Sequence, residues 1–415
     1  MPLSRAVTLL ASAGLLACLQ APAVRGQDLS GYVKNFTLGF QLPEADPSGG
    51  GFVWQSANRL RLKYRHSLGR GLSFDGAWEV LPRFQSEAFY RTALFPFSID
   101  PSSYRLVDFH AQVYPGADRN PGRFALFQNL DRLSLFWKTS AADVTVGRQP
   151  IAWGSALVVN PTDIIAPFAF NDLDKEEVFG VDAIRVRIPT GSLSEVDLGY
   201  VPGRDFRFGR SAFFARRRVN VWHTDGTLMA VGFRKNLLVG LDLSRSVGPA
   251  GLNFGAAYVI AGALGDTPTV EKDYLRVSVD LDGNVTSRFY LYGEYHYNSA
   301  GGKSPEQYAS LFSTTAYRQG NVYLLGRHYL MAGGNYQVTP LNTVAWLILW
   351  NTGDRSFDFW PSWEYNLAAN AYLQAGTNIG VGRAPNSWPT PAPLALRSEF
   401  GSYPRLFYVS LRYYF

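Results

Sequence analysis

The chain has 415 residues, of which 47% are hydrophobic, 15% aromatic and 17% charged, with a formal net charge of +6. A charged fraction below the ~25% of soluble globular domains argues against an ordinary soluble enzyme. After the first thirty positions no run of eighteen apolar residues predicts a membrane-crossing helix. The 39 basic and 33 acidic residues are evenly mixed, with no basic arm or tail, so nucleic acid is not an expected partner.

The first stretch, "MPLSRAVTLLASAGLLACLQAPAVRGQ", places Arg5 before an apolar run and ends in small residues and Pro22. It reads as a secretory signal over residues 1–26, cleaved after Gly26, with Ala23 as the alternative site. Removing Arg5 and Arg25 lowers the charge from +6 to about +4. The single cysteine, Cys18, lies in this segment, so a mature chain of residues 27–415 has no disulfide and no cysteine metal site. A second reading takes "LLAC" as a lipobox-like site that makes Cys18 a lipidated N-terminus.

Beyond the leader, apolar and polar residues alternate with a period of two, the pattern of half-buried strands. Eighteen strands are predicted, near 30–42, 52–66, 71–84, 123–139, 142–149, 181–189, 195–203, 212–222 and 227–235 in the first half. The second half supplies 237–247, 251–261, 273–282, 287–298, 326–338, 342–351, 356–367, 370–382 and 404–415. Losing the hairpin around Lys235 would leave sixteen. Residues 104–114 also alternate, but they are assigned to a long loop, because one more wall strand breaks the even parity. Short turns alternate with long loops, near 85–122, 150–180, 299–321 and 383–403. That asymmetry predicts an all-β transmembrane antiparallel up-and-down barrel with short periplasmic turns and long extracellular loops.

In "RLRLKYR", residues 59–65, the strand period puts Leu60, Leu62 and Tyr64 on one face and Arg59, Arg61, Lys63 and Arg65 on the other. The same reasoning makes Asp75, Glu79, Arg185, Arg187, Arg276, Asp280 and Glu294 candidate pore-lining residues. Arg288, Arg412, Asp242, Asp358 and Glu364 join them provisionally. Two readings of the basic ladder compete. It favours anions as a charged pore wall does, or it pairs with Asp75 and Glu79 on the next strand and stiffens the wall. The second reading covers at most two of the four cations, so a weak anion preference is expected.

The segment "VGRQPIAWGSALVVNPTDIIAPF", residues 146–168, is broken by Gly147, Pro150, Gly154 and Pro161 and is too apolar for a free loop. It is expected to pack on the inner wall or across the mouth as a constriction, with Arg148, Trp153, Asn160 and Asp163 as its candidate residues. A rim-sealing loop is the alternative. The acidic run Asp172, Asp174, Glu176 and Glu177 follows. The chain closes on "PRLFYVSLRYYF", where Phe407, Val409, Leu411, Tyr413 and Phe415 form one face.

That last strand resembles the terminal strand of Gram-negative outer-membrane β-barrel proteins of the porin kind. The resemblance implies that Leu411, Tyr413 and Phe415 serve as an assembly signal read by the barrel assembly machinery. The segment GRQ-x-I-x-WG…NPTD is similar to one found in a largely uncharacterised group of such barrels, which names no ligand. Outer-membrane lipid and lipopolysaccharide are the implied surroundings, and the oligomeric state is left open.

Five histidines, His66, His110, His223, His296 and His328, are scattered, and only His296 lies mid-strand near an acid, Glu294. There is no Gly-x-Ser-x-Gly elbow, no His-Glu-x-x-His and no His/Cys cluster, so neither an enzyme nor a metal or cofactor is expected. The reading is an outer-membrane channel for passive diffusion of small hydrophilic solutes. Its alternatives are a barrel that sheathes a partner protein or polymer, and an outer-membrane hydrolase.

Overall fold

A computed structural model of the chain describes residues 28–41, 51–87, 89, 104–107, 111–116, 119–167, 173–266, 269–319, 322–386 and 395–415. The predicted leader with Cys18, as well as His110 and Asp172, lies outside the described residues.

The sheet begins with β1 (Leu29–Gln41), β2 (Phe52–Gly69), β3 (Leu72–Gln85), β4 (Ala111–Tyr114) and β5 (Phe124–Lys138). It continues through β6 (Asp143–Pro150), β7 (Gly180–Gly191), β8 (Ser194–Val201), β9 (Ala212–Val221) and β10 (Thr224–Phe233). Next come β11 (Asn236–Val247), β12 (Ala250–Ile260), β13 (Tyr274–Thr286), β14 (Phe289–Asn298) and β15 (His328–Thr339). The last are β16 (Asn342–Asn351), β17 (Ser356–Phe359), β18 (Ser362–Ala368), β19 (Ala371–Val381) and β20 (Arg405–Tyr414). All pairs are antiparallel, and β20 returns to β1, from Tyr32 opposite Tyr414 to Gln41 opposite Arg405. Closure leaves the wall without an edge strand among the described residues.

The wall has eighteen staves, as the periodicity predicts. β17 and β18 are two parts of one stave, since both pair with β16 and β19. Their break falls at Pro361, which has no N–H to give a ladder. β4 is not a stave: its four residues add to the outer end of β5 only. The segment 104–114, expected to be wholly loop, therefore contributes a short strand where β5 and β6 diverge. The hairpin that sets eighteen against sixteen is present. Arg234 (φ 46°) and Lys235 (φ 75°) make its two-residue turn, as Trp222 (φ 51°) and His223 (φ 58°) do one hairpin earlier. Positive φ at both turn positions matches the twist of paired strands.

The usual arrangement of a globular protein is inverted. Outward positions expose large apolar side chains, among them Leu228 (59%), Trp137 (53%) and Val409 (50%). A belt of this size needs an apolar surrounding. Inward positions bury charge: Lys34, Arg61, Glu79, Asp131, Arg132, Arg276, Asp280 and Glu294 are all under 9% exposed. Alternation in the sequence is thus the direct record of lipid side and lumen side.

Candidate functional site: a loop-lined lumen

The ladder of β2 faces the lumen, and each of its cations meets carboxylate. Arg61 lies 2.7 Å from both Glu79 and Asp131 and 3.4 Å from Glu177. Arg59 reaches Asp174 at 3.2 Å, and Lys63 pairs with Glu177. Arg65 pairs with Asp75 at 3.3 Å at the turn end, where its side chain is 78% exposed. Only Asp75 and Glu79 were expected as partners. Asp174 and Glu177 come instead from the strap 173–179 that leads into β7, and Asp131 from β5. The field expected from a partly unpaired ladder is therefore met by acids from elsewhere in the chain.

The strap's third acid, Glu176, extends the network to the barrel seam. It accepts from Lys34 at 2.7 Å, Arg412 at 3.1 Å and the Tyr414 hydroxyl at 2.6 Å. Burial alone would raise its carboxyl, but the Lys34 and Tyr414 hydrogen bonds and the Lys34 and Arg412 charges hold it below the ordinary value. Arg185 and Arg216 share Asp197 at 2.7 and 2.9 Å, and Arg187 stands 3.8 Å from Asp143. Arg288, expected inward, sits exposed in the short turn between β13 and β14.

Residues 151–167 fold into the barrel and pack on the inner wall. Trp153 lies edge-on to Phe214 of β9, with ring centroids 4.7 Å apart, and the Arg216 guanidinium lies over its ring at 4.8 Å. Ile151, Ile164 and Ile165 join Val181, Val201, Val231, Leu238 and Val259 of the wall in one apolar cluster. Farther along, Val159 packs on Tyr329, Met331 and Leu349 of β15 and β16.

Wall polar groups fasten the backbone of this segment. Glu294 accepts from the N–H of Val158 (2.7 Å) and Val159 (3.0 Å), and Ser278 donates to the Val159 carbonyl at 2.7 Å. Arg276 donates to the Pro161 carbonyl, and Thr162 donates to Asp242 at 2.9 Å. Arg276 and Glu294, expected to line the pore, are therefore anchors covered by the segment. Asp280, also expected there, is 1% exposed and accepts from Asn253 at 2.7 Å.

Of the four residues expected at the constriction, Trp153, Asn160 and Asp163 lie on the inserted segment. Asn160 braces its turn by accepting from the Ala156 N–H at 2.8 Å. Gly154 (φ +107°) is required beside it, since a Cβ there would stand 2.1 Å from Asn160 Oδ1. Asp163 is 6% exposed, and burial pushes its carboxyl up to about 7 against the pull of Arg276. Arg148 is different. It is a β6 wall residue that bonds Asp182 (2.8 Å) and the Leu130 and Val107 carbonyls, so it closes the seam where β5 and β6 part.

Ser278, His296 and Glu294 bring together the residue types of a nucleophilic triad, with Ser278 Oγ 2.8 Å from His296 Nδ1. All three are under 4% exposed, and the serine hydroxyl is spent on the Val159 carbonyl. The cluster is a fastening for the inserted segment. Among the described residues no group of three or more His, Cys, Asp or Glu could hold a metal ion.

Several residues of the lumen network escaped the sequence reading. Lys34 is fully buried, and Asp131 and Arg132 both face inward although adjacent, because β5 carries an extra residue opposite Ala77–Trp78. Glu399, in the last outer loop, is also fully buried and accepts from the Leu325 N–H and the Asn351 amide, each at 2.8 Å. It ties that loop to β16 and to the loop before β15.

No family model matches the chain, and no curated protein matches it. Solved structures do. OccAB4 of Acinetobacter baumannii aligns at 10% identity and TM-score 0.55, covering 95% of this chain and 100% of that one. OpdK of Pseudomonas aeruginosa, solved with vanillate, aligns at 12% and 0.51, covering 94% and 99%. OccD3 (OpdP) of the same organism aligns at 11% and 0.52, covering 94% and 92%. The likeness is one of fold: this chain is built as a closed, eighteen-stave antiparallel barrel like those structures.

Proposed function

We propose that the protein is a channel of the Gram-negative outer membrane that passes small hydrophilic solutes by passive diffusion. The observation that carries this reading is the combination of an apolar outer belt with a charged inner wall narrowed by an inserted segment. Such a wall holds water, and its loop sets the bore. No step of catalysis is called for. The resemblance of GRQ-x-I-x-WG…NPTD to an uncharacterised group of barrels belongs to the same reading, as does a secretory leader over residues 1–26. Leu411 and Tyr413, on the outward face of β20, and Phe415 just after it are the proposed assembly signal. Trimming them should lower the amount of folded barrel that reaches the outer membrane.

Single-channel recording of the refolded, full-length protein in a planar bilayer tests the function. Discrete conductance steps are expected. A correctly folded barrel that passes no ions overturns the channel reading and favours a sheath for a partner chain or polymer.

A further inference from the structure

The inner wall from β14 to β20 holds a cavity of about 200 Å³ whose lining contains no charged side chain. It lies on the turn side of Val158 and Val159, where the inserted segment ends its run along the wall. Two adjacent levels of the ladder form it. Of its lining residues, Leu347 and Trp360 share one level, and Asn335, Ala345, Ser362 and Tyr408 share the next.

Two glycines lie beneath its tyrosines. A Cβ at Gly333 would stand 2.3 Å from the Tyr292 hydroxyl, and one at Gly376 would stand 2.6 Å from the Tyr408 ring. Tyr292 and Tyr408 therefore lie across the wall and do not point into the bore. Trp360 supplies a third aromatic surface between them. Polar groups lie beside these rings. Asn378 is 9% exposed, and its Oδ1 has no partner among the described residues. The amide of Asn335 and the hydroxyl of Tyr292 belong to the same lining.

The flanking charges decide which solute fits. Asp358 lies two residues to one side on the same stave and Glu364 two residues to the other, about 7 Å along a strand in each case. Glu364 is paired with Arg412, so an anion in the cavity would be repelled from the Asp358 side alone, and no basic side chain lines it. Aromatic faces, amides able to donate and accept, and the acid neighbour Asp358 together suit a ring that is apolar on its face and hydroxylated at its edge.

We infer that this cavity is a binding site for an uncharged, polyhydroxylated ring solute of monosaccharide size. The inference deepens the channel reading and rests on it.

The test uses the full-length protein in planar bilayers, with D-glucose, the open-chain mannitol and the anion gluconate as probes. Glucose should reduce the single-channel potassium chloride current saturably, while mannitol and gluconate at equal concentration should not. Asn378→Leu and Tyr292→Phe should each weaken the glucose effect by about three- to tenfold, the loss of one hydrogen bond, and leave the ion current in place. Tyr292→Phe keeps the ring, so it remains informative if the leucine variant misfolds. Gluconate acting as strongly as glucose, or no saturable effect in a conducting wild-type channel, overturns the site and leaves the channel standing. A wild type that conducts nothing overturns both.

Discussion

The inner wall has two unlike arcs, and one loop is fastened to both. Along β7 to β13 the wall presents Val181, Ala183, Val201, Phe214, Met229, Val231, Leu238 and Val259, and the segment 151–167 is held there mainly by burial. Along β20, β1, β2, β3 and β5 it presents Lys34, Arg59, Arg61, Lys63 and Arg412, and the strap 173–179 is held by ion pairs. Apolar packing carries no charge for salt to screen and acts without direction. Ion pairs answer to ionic strength, to protonation and to the loss of a single partner. The same loop thus has one fixed end and one adjustable end.

Breaking the fixed end should have the largest effect. Trp153→Ala removes a ring that packs on Phe214 and supports Arg216, a change that costs about 3–5 kcal/mol in a well-packed core. The barrel wall should survive, since its pairing does not run through Trp153. Thermal melting in detergent should shift down, and single-channel records should show larger and noisier currents than the wild type.

Breaking the adjustable end should change selectivity more than stability. The double variant Asp174→Asn, Glu177→Gln keeps shape but withdraws two acids from Arg59, Arg61 and Lys63. Each lost charged hydrogen bond costs about 1.5–3 kcal/mol at most. In a potassium chloride gradient the wild type should give a reversal potential near zero, and the variant one displaced toward chloride. A strongly anion-selective wild type would contradict the pairing of the ladder.

The two arcs were unequally legible in the sequence. Strand phase alone placed the ladder of β2, the acids Asp75 and Glu79, and all eighteen staves, because a barrel wall repeats one local rule along its length. It could not place Lys34 against Asp174, since those residues are 140 positions apart and meet through a loop that folds back inside. Nor could it place Asp131 and Arg132, because a period of two forbids neighbours on one face and only the bulge permits it. The segment 146–168 was legible as too apolar for a free loop, and its residues 151–167 do pack inside. Its hydrogen bonds to Arg276 and Glu294 turned two supposed pore-lining residues into anchors, which no charge pattern could reveal. Arg148 misled for the opposite reason: it belongs to the same motif but closes a seam in the wall.

The subtlest way to separate the arcs is pH, because their acids are displaced in opposite directions. On the adjustable side, Glu176 is held below its ordinary value by Lys34, Tyr414 and Arg412. Its share of the strap's hold is complete above the ordinary glutamate range and is lost as pH falls through the lowered value. On the fixed side, burial raises Asp163 to about 7. Its protonated form suits the packed segment, so that hold is fullest below the ordinary aspartate range and declines as pH rises through about 7. Conductance measured from acid to alkaline pH should therefore be lowest at intermediate values and rise at both ends. Glu176→Gln should flatten the acid limb alone, and Asp163→Asn the alkaline limb alone. If either substitution flattened both limbs, the two ends of the loop would be releasing together, and the division of the wall into two independent fastenings would fail.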